Sequence, residues 1–464
     1  MVFCMNAIKT YGNYIKKYAE PHPAVSRKMI NIGLHLEQFR TEHFAAKEMP
    51  EAYRKLNTLG VKNTLFALEH PDQTVWSNLF APVEIFQCFG LNALSMECLS
   101  SFLSGFTCED YFIDRAEQKG IASTLCSYHK NFIGAVDSGV IPTAAFGVTT
   151  SMICDGNINT FRHIKKNHSI DTYVIDVPNT YSEDAVSYLV SQLKELISTL
   201  EGLTGKVFHM DDLSEVLSRE NESKACYKEF LKLQRDRYYP STLTLQMYML
   251  FATHLNIGTP ETLDLFRSFA EDIKSYPEFH GKRIVWVHLL PFYQETLKHY
   301  FNLGKDYQIQ VTEMNLDYME PLDTDHPLEA LAAKMLNNLY NGPYERKASM
   351  VTKLAKDMRA DGVINFCHWG CKQSSGGVFQ LREALREADI PLLVIDGDGM
   401  DRRNSHDGQI KTRLEAFLEV VNQRNVNLCW VMYVNILPWS CLPPWIPISS
   451  GSNRLSRILT MRTR

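Results

Sequence analysis

Residues 1–75 carry apolar positions at helical spacing, as at Met29, Ile32, Leu36 and Phe39, among good helix formers. Apolar residues recurring three and four apart mark one face of a helix, so this region is predicted to be helical. At Pro82-Val83-Glu84-Ile85-Phe86 the texture changes. Short apolar runs now alternate with helical patterns: a strand over 143–150, a helix over 158–166, a strand over 171–177 and a helix over 182–200. Such alternation predicts a parallel sheet in an α/β domain. Over 208–277 the strand signal disappears, and the charged, helical stretches 213–217, 227–235, 243–255 and 260–273 read as a helical connection that packs, with its charges in solvent. Strands return at 283–288 and 308–313, followed by helices over 328–339 and 347–358. The chain is therefore divided into a helical region 1–80, an α/β domain 81–205, a helical connection 206–279, a second α/β domain 280–422 and an atypical tail 423–464.

The stretch 362–413 concentrates the chemistry. An apolar strand over 362–366 runs into Cys367-His368-Trp369-Gly370-Cys371 and a Ser-Ser-Gly-Gly turn. A helix pattern follows over 378–388, then a buried strand over 391–396 ending in Gly397-Asp398-Gly399-Met400-Asp401-Arg402-Arg403. Open α/β sheets place their sites at the carboxyl ends of strands. A thiolate in a glycine-rich turn there suits a metal or an iron–sulfur cluster, because bare backbone N–H groups can face the anionic sulfurs.

Composition narrows the classes. The chain has 464 residues, with 48 Lys+Arg against 53 Asp+Glu and a net charge of −5, so no basic excess points to nucleic acid or an anionic membrane. The amino terminus has no apolar run of signal-peptide length, so a cytoplasmic protein is expected. The tail from Asn425 to Asn453 has no charged residue but holds Trp430, Trp439, Trp445 and several prolines, and four arginines close the chain. It reads either as a misread or truncated frame or as a membrane anchor, the latter interrupted by its prolines and Asn435.

The 11 cysteines are an odd number, and a disulfide framework is disfavoured in a reducing compartment. Cys126, Cys154 and Cys371 share polar loop surroundings just past apolar runs or ahead of helices. They lie too far apart for a local ferredoxin run, so any joint site would be assembled between the two α/β domains. Three thiolates would leave one iron of a 4Fe–4S cube open for a substrate oxygen. Inert thiols remain an alternative, and Cys367 and Cys371 could instead form half a zinc site with His288 or His406. No GxxxxGK[ST] motif and no GxGxxG after a strand occurs, so neither a P-loop nor a dinucleotide site has support.

The motifs LCSYHKNFIGA (125–135), TTSMICDGNINTF (149–161), HWGCKQSSGG (368–377) and DGDGMDRRNSHDGQIKTRLEAF (396–417), in this order, make the chain resemble the 2-hydroxyacyl-CoA dehydratase family over 81–421. That family includes 2-hydroxyglutaryl-CoA dehydratase subunits, benzoyl-CoA reductase subunits and double-cubane cluster proteins. The resemblance implies that Cys126, Cys154 and Cys371 hold a 4Fe–4S cluster (a double-cubane cluster being the alternative). It implies an ATP-dependent iron–sulfur activator that injects one electron, and a second, identical or homologous, dehydratase subunit. It implies an (R)-2-hydroxyacyl-CoA substrate that loses water through a ketyl radical, which acidifies the β C–H. The fold expected is two flavodoxin-like domains with the cluster between them.

Other residues carry weaker expectations. Ser374, Glu84 and His129 are candidates for catalysis, and Ser375, Gly376 and Gly377 for holding the cofactor through N–H groups. Ser374 and Ser375 also suit simple N-capping. His368 and Trp369 read as a core pair or as a wall of the cluster. His129 and Lys130 read as thiolate neighbours or as surface residues. Asp398, Asp401, Arg402 and Arg403 read as CoA phosphate ligands or as internal salt bridges. A benzoyl-CoA-reductase-like enzyme and a non-catalytic electron-transfer subunit are the competing functions.

Overall fold

In the computed structural model the described residues are 2–44 and 47–436, and the tail readings fall largely outside them. The chain divides into two compact units, Met1–Phe417 and Leu418–Arg464, and the sheets and the site belong to the first. Three helices open the chain: α1 (Val2–Ala19), α2 (Pro23–Phe44) and α3 (Glu51–Glu69). The first α/β region follows as β1 (Thr74–Ser77), α4 (Val83–Cys88), β2 (Asn92–Ser95), α5 (Met96–Gly105), α6 (Glu109–Gln118), α7 (Ser127–Asp137), β3 (Phe146–Thr150), α8 (Asp155–His168), β4 (Thr172–Ile175) and α9 (Glu183–Thr204). Three helices intervene, α10 (Met210–Gln234), α11 (Leu243–Leu250) and α12 (Pro260–Asp272). The second α/β region comprises β5 (Lys282–Val287), α13 (Glu295–Phe301), β6 (Tyr307–Thr312), α14 (Pro327–Leu336), α15 (Tyr344–Asp357), β7 (Gly362–His368), α16 (Lys372–Ser375), α17 (Val378–Glu387), β8 (Leu392–Gly397) and α18 (Asp407–Ile436).

The expected pair of parallel sheets is present. Their orders are β2-β1-β3-β4 and β6-β5-β7-β8, and every pairing is parallel. The two orders are the same topology used twice, the flavodoxin-like one. Central strands β1, β3 and β7 are buried along their whole length, as parallel strands covered by helices on both faces must be. In each sheet the strand order reverses once, between β1 and β3 and between β5 and β7. Ligands of open α/β sheets bind beyond the carboxyl ends of the strands at such a point.

Local signals fix the helix ends. Ser95, Ser182, Thr242 and Thr259 each accept a hydrogen bond from the backbone N–H three residues on, capping α5, α9, α11 and α12. Gly205 closes α9 at φ +68°, in the left-handed region that favours glycine.

The structure departs from the sequence pattern, or adds to it, at four places. On α2 the stripe Ile32, Leu36 and Phe39 faces solvent, at 45%, 60% and 53% exposure, while Ile30 and Leu34 are buried. Periodicity identifies the helix, but the packing of Ser26, Ile30, Leu34 and Thr41 chooses the face. The strand β8 is a partly exposed edge strand rather than a buried one. The strands β1 and β2, four residues each and half polar, escape the apolar-run criterion. Finally, the helices over 208–277 do more than pack with solvated charges, because Glu220 and Lys224 of α10 are buried. The Lys334 ammonium on α14 bridges Glu220 at 2.7 Å and Glu84 of α4 at 2.5 Å, and Lys224 reaches Glu220 at 2.8 Å. Among the described residues no helix is long and apolar enough to cross a membrane.

Candidate metal centre

Each of the three cysteines stands at the N-cap of a helix. Cys126 precedes α7, Cys154 precedes α8 and Cys371 precedes the single turn α16. Cys154 follows β3 and Cys371 follows β7, so the two lie beyond the carboxyl ends of strands that flank the two reversal points. The backbone N–H groups of Gly156 and Asn157 lower the pKa of the Cys154 thiol, and that of Tyr128 lowers the pKa of Cys126, each against the larger effect of burial. These groups lie in the first turns of the helices, where N–H dipoles favour negative charge on sulfur.

The loops meet closely. Ile153 adopts φ +65°, a strained conformation for a β-branched residue, in the turn that presents Cys154. Gly370, at φ +76°, lets the β7 loop lie on the Cys126 backbone, and a Cβ there would stand 2.7 Å from the Cys126 nitrogen. A Cβ on Gly156 would stand 3.1 Å from the Cys154 sulfur. The three thiols are thus within reach of one another's charge. Burial pushes the Cys126 thiol well up, and Cys371 and Cys154 raise it further. Burial, then Cys371, pushes Cys154 up to about 11.

A buried histidine faces each thiol. His368 Nε2 lies 3.1 Å from the Cys126 sulfur, His129 Nε2 3.6 Å from Cys154, and His288 Nε2 3.6 Å from Cys371. The His368 tautomer follows from its other nitrogen. Nδ1 accepts the Gly399 N–H at 2.9 Å, so in the neutral ring the proton is on Nε2 and is donated to sulfur. Burial lowers the pKa of all three imidazoles, that of His129 to about 3. His129 Nδ1 lies 2.8 Å from the Thr160 hydroxyl. His288 sits at φ +73° at the end of β5, and its backbone N–H donates to Glu313 Oε2 at 2.7 Å. Glu313 in turn accepts from the Tyr340 hydroxyl and pairs with Lys347 at 2.8 Å, in a fully buried set.

These residues fit a cationic multi-iron group. Three neutral thiols that raise one another's pKa ionise together only when positive charge sits among them. Helix N-termini and imidazole N–H donors then serve the sulfurs. Among the described residues no three His, Cys, Asp or Glu side chains stand close enough to hold a single metal ion. The zinc alternative is therefore not assembled. The Cys367 thiol instead donates to the Ser374 carbonyl at 3.4 Å.

The remaining candidates are placed as follows. Ser374 is buried, its hydroxyl accepting the His368 N–H at 2.9 Å and donating to the Cys371 carbonyl at 2.9 Å, so it holds the turn. The exposed Ser375 hydroxyl also donates to the Cys371 carbonyl, at 2.9 Å. The Gly376 N–H is used within its own turn, on the Lys372 carbonyl. Gly377 gives room to the Tyr344 ring, which a Cβ would meet at 2.2 Å. Glu84 is buried on Lys334, in a small pocket that includes Met152 of the Cys154 loop. His129 and Lys130 are buried rather than on the surface, and Lys130 donates to Glu117 and to the Ser123 carbonyl. His368 and Trp369 do not form a core pair, since Trp369 is 53% exposed. Of the two readings for the arginines, internal pairing is the one observed. Arg403 grips Asp401 through Nε and Nη2, both at 2.9 Å, and Arg402 pairs with Glu109. Asp398, also buried, accepts from the Ser127 hydroxyl and from the N–H groups of Met400 and Asp401.

A cavity of about 900 Å³ is lined by Glu97, Cys98 and Tyr128, though by none of Cys126, Cys154 and Cys371. Of these lining residues, Tyr128 lies within reach of the Cys126 charge and Glu97 within reach of the Cys154 charge. Burial raises the Glu97 carboxyl to about 7, and its Oε2 is enclosed without a hydrogen-bond partner. The buried Tyr128 hydroxyl, beside Ser101, also finds no well-formed partner. Neither residue is evident from the sequence, where Glu97 reads as an ordinary acidic residue in the first turn of a helix.

Residues 78–421 match the family described as 2-hydroxyglutaryl-CoA dehydratase, D-component. The chain belongs to this family. The alpha subunit of (R)-phenyllactyl-CoA dehydratase from Clostridium sporogenes is similar, at 24% identity, over 82% of this chain and 98% of that subunit. The (R)-2-hydroxyisocaproyl-CoA dehydratase alpha subunit of Clostridioides difficile is 23% identical, over 78% of this chain and 93% of that subunit. A benzoyl-CoA reductase subunit of Thauera aromatica is 21% identical, over 67% of this chain and 79% of that subunit. The family relation thus bears out the resemblance carried by the four motifs and places the chain among CoA dehydratases.

Proposed function

We propose that this chain is the iron–sulfur subunit of a 2-hydroxyacyl-CoA dehydratase, removing water from an (R)-2-hydroxyacyl thioester. The observation that carries the reading is the meeting of Cys126, Cys154 and Cys371 at three helix N-termini, each thiol faced by a buried histidine. A 4Fe–4S cluster held by these thiolates would supply one-electron chemistry and an iron without a protein thiolate.

The chain's own residues do the rest. The reaction is redox-neutral overall: a hydroxyl leaves C2, a proton leaves C3, and a C2–C3 double bond forms. Glu97 lines the cavity within reach of the Cys154 charge, and burial brings its pKa to the neutral range that suits proton exchange. Its carboxyl accepts the C3 proton and returns it to the departing hydroxyl. The Tyr128 hydroxyl is free to donate to the thioester carbonyl. The bonds from His368, Ser374 and Asp398 keep the Cys126 and Cys371 loops in place and leave those two cavity groups unencumbered. A partner follows from the relatives. The chain is also 24% identical to the beta subunit of the phenyllactyl-CoA dehydratase, so it works beside a second subunit of its own kind.

The test is anoxic turnover with a one-electron activator, ATP and a 2-hydroxyacyl-CoA panel, read by mass spectrometry. Loss of water to the 2-enoyl-CoA is expected. Reduction of an aromatic or unsaturated acyl-CoA instead would favour the benzoyl-CoA-reductase-like reading. Electron transfer without any change in thioester would favour a non-catalytic subunit.

A further inference from the structure

The three buried histidines are not aimed at their sulfurs in the same way. His368 and His129 are fixed through the ring nitrogen that faces away from sulfur. Nδ1 of His368 accepts the Gly399 N–H at 2.9 Å, and Nδ1 of His129 lies 2.8 Å from the Thr160 hydroxyl. His288 has no such tie, because its buried Nδ1 lacks a hydrogen-bond partner among the described residues. What directs this imidazole is its backbone. The chain leaves β5 at Val287, and His288 turns at φ +73°, a left-handed conformation that is costly outside glycine. Pairing of β5 with β6 sets Thr312 opposite Trp286, so Glu313 stands beside the point where that turn begins. Glu313 Oε2 accepts the His288 N–H at 2.7 Å, a charge-assisted bond that holds the turn. Its Oε1 takes the Tyr340 hydroxyl and the Lys347 ammonium, the latter at 2.8 Å. Lys347 also lies 4.2 Å from the centre of the Tyr340 ring, and that ring meets the His288 imidazole edge-on, with centroids 6.3 Å apart. A buried ion pair adds little stability over apolar residues of the same volume. What this one supplies is the direction of His288.

We infer that Glu313 is a positioning residue which, braced by Tyr340 and Lys347, aims His288 at Cys371 and so raises the reduction potential of a cluster held there. The inference rests on the cluster reading above. Reduction adds one negative charge, which the ligand sulfurs share. A donor held on one of those sulfurs favours the reduced state, and a donor free to swing away does so less. Nε2 of His288 lies 3.6 Å from the Cys371 sulfur. With Nδ1 untied, loss of the Glu313 bond lets this imidazole turn away. The same loss does not release His368 or His129, which their ring nitrogens hold. The potential therefore responds to Glu313 only while His288 is present.

A redox titration followed by electron paramagnetic resonance, on anaerobically purified protein, reads this without turnover. The reductant is a europium(II) chelate, which gives the cluster one electron and becomes europium(III). His288→Leu removes the donor. At the parent's midpoint potential its ratio of reduced to oxidised cluster is expected to fall about tenfold, a shift of about 59 mV to lower potential. His288→Gln, whose amide N–H can stand where the imidazole N–H stood, should restore most of that. Glu313→Gln is combined with Lys347→Met, so that no buried charge is left unpaired, and Tyr340→Phe is a milder change that keeps the ring. Both should move the potential in the same direction as His288→Leu, by less. Neither should add to the shift in a His288→Leu background, since a residue that acts through His288 has no effect without it. An unchanged potential in His288→Leu, or in Tyr340→Phe and the Glu313 variant alike, would overturn the inference while the cluster reading stands. So would shifts that add in full to that of His288→Leu. No iron–sulfur signal in the reduced parent would overturn the cluster reading and the inference with it.

Discussion

Glu97→Gln lowers the turnover number by about two to four orders of magnitude, the range that a positioned proton-transfer group contributes, with iron content retained. The amide matches the carboxyl in size and keeps a carbonyl oxygen for the capping turn of α5, but it cannot accept and return a proton. The expected split is a large fall in kcat with a small change in KM, since the amide keeps the size of the carboxyl it replaces. The pH dependence has a definite sign. Burial raises this carboxyl from its ordinary value to about 7, so the folded protein favours its neutral form. Its contribution to stability is fully present below its unfolded pKa and is lost as pH rises through about 7. Glu97→Gln should remove that part of the decline in melting temperature between about pH 4.5 and 7, and with it the rising limb of the pH–rate profile. Glu84, also held at about 7, retains its own share. A variant with unchanged kcat would remove Glu97 from the reaction.

Lys334→Met destabilises the fold by about 3 to 5 kcal/mol, the loss typical of breaking a buried ion pair from one side. Its ammonium is the cation that Glu84 and Glu220 share, and both carboxylates are almost fully buried. Methionine fills similar volume but leaves Glu84 with no cation and Glu220 with Lys224 alone. The two carboxyls respond differently. Glu220, beside two lysines, is held down at about 2 despite its burial, whereas burial keeps Glu84 up at about 7. Denaturant unfolding at pH 7 measures the loss. Adding Glu84→Gln to Lys334→Met should recover part of it, because Glu84 without its cation must take up a proton to stay buried at pH 7 and the amide does not. The bridge ties α4 of the first α/β region to α14 of the second, with α10 between, so iron incorporation should fall together with stability.

How far the sequence could be read depends on which interactions are local. Apolar runs announce β5 and β7, alternation announces β6, and the glycine-rich turn after β7 announces a site. The four-residue β1 and β2 owe their place to pairing with β3 and with each other, which no local pattern encodes. Helical spacing on α2 is visible, but its buried face is chosen by neighbours elsewhere in the chain. The same holds at the site. Three cysteines stand out by their motifs, yet the histidines that face them come from β5, α7 and β7, and only folding pairs each with its sulfur. Glu97 and Tyr128 gain their character from burial, which raises the pKa of one and leaves the hydroxyl of the other without a well-formed partner.

The central claim is that Cys126, Cys154 and Cys371 together hold one iron–sulfur cluster. Iron and acid-labile sulfide per chain, with electron paramagnetic resonance, should be measured on anaerobically purified protein beside the three single alanine variants and Cys226→Ala. About four irons and four sulfides per chain are predicted for the parent and for Cys226→Ala, with loss in each of the other three, as a single cube held by three thiolates requires. About eight irons would replace the single cube with a double-cubane cluster. Absence of iron, or iron indifferent to all three changes, would contradict the account.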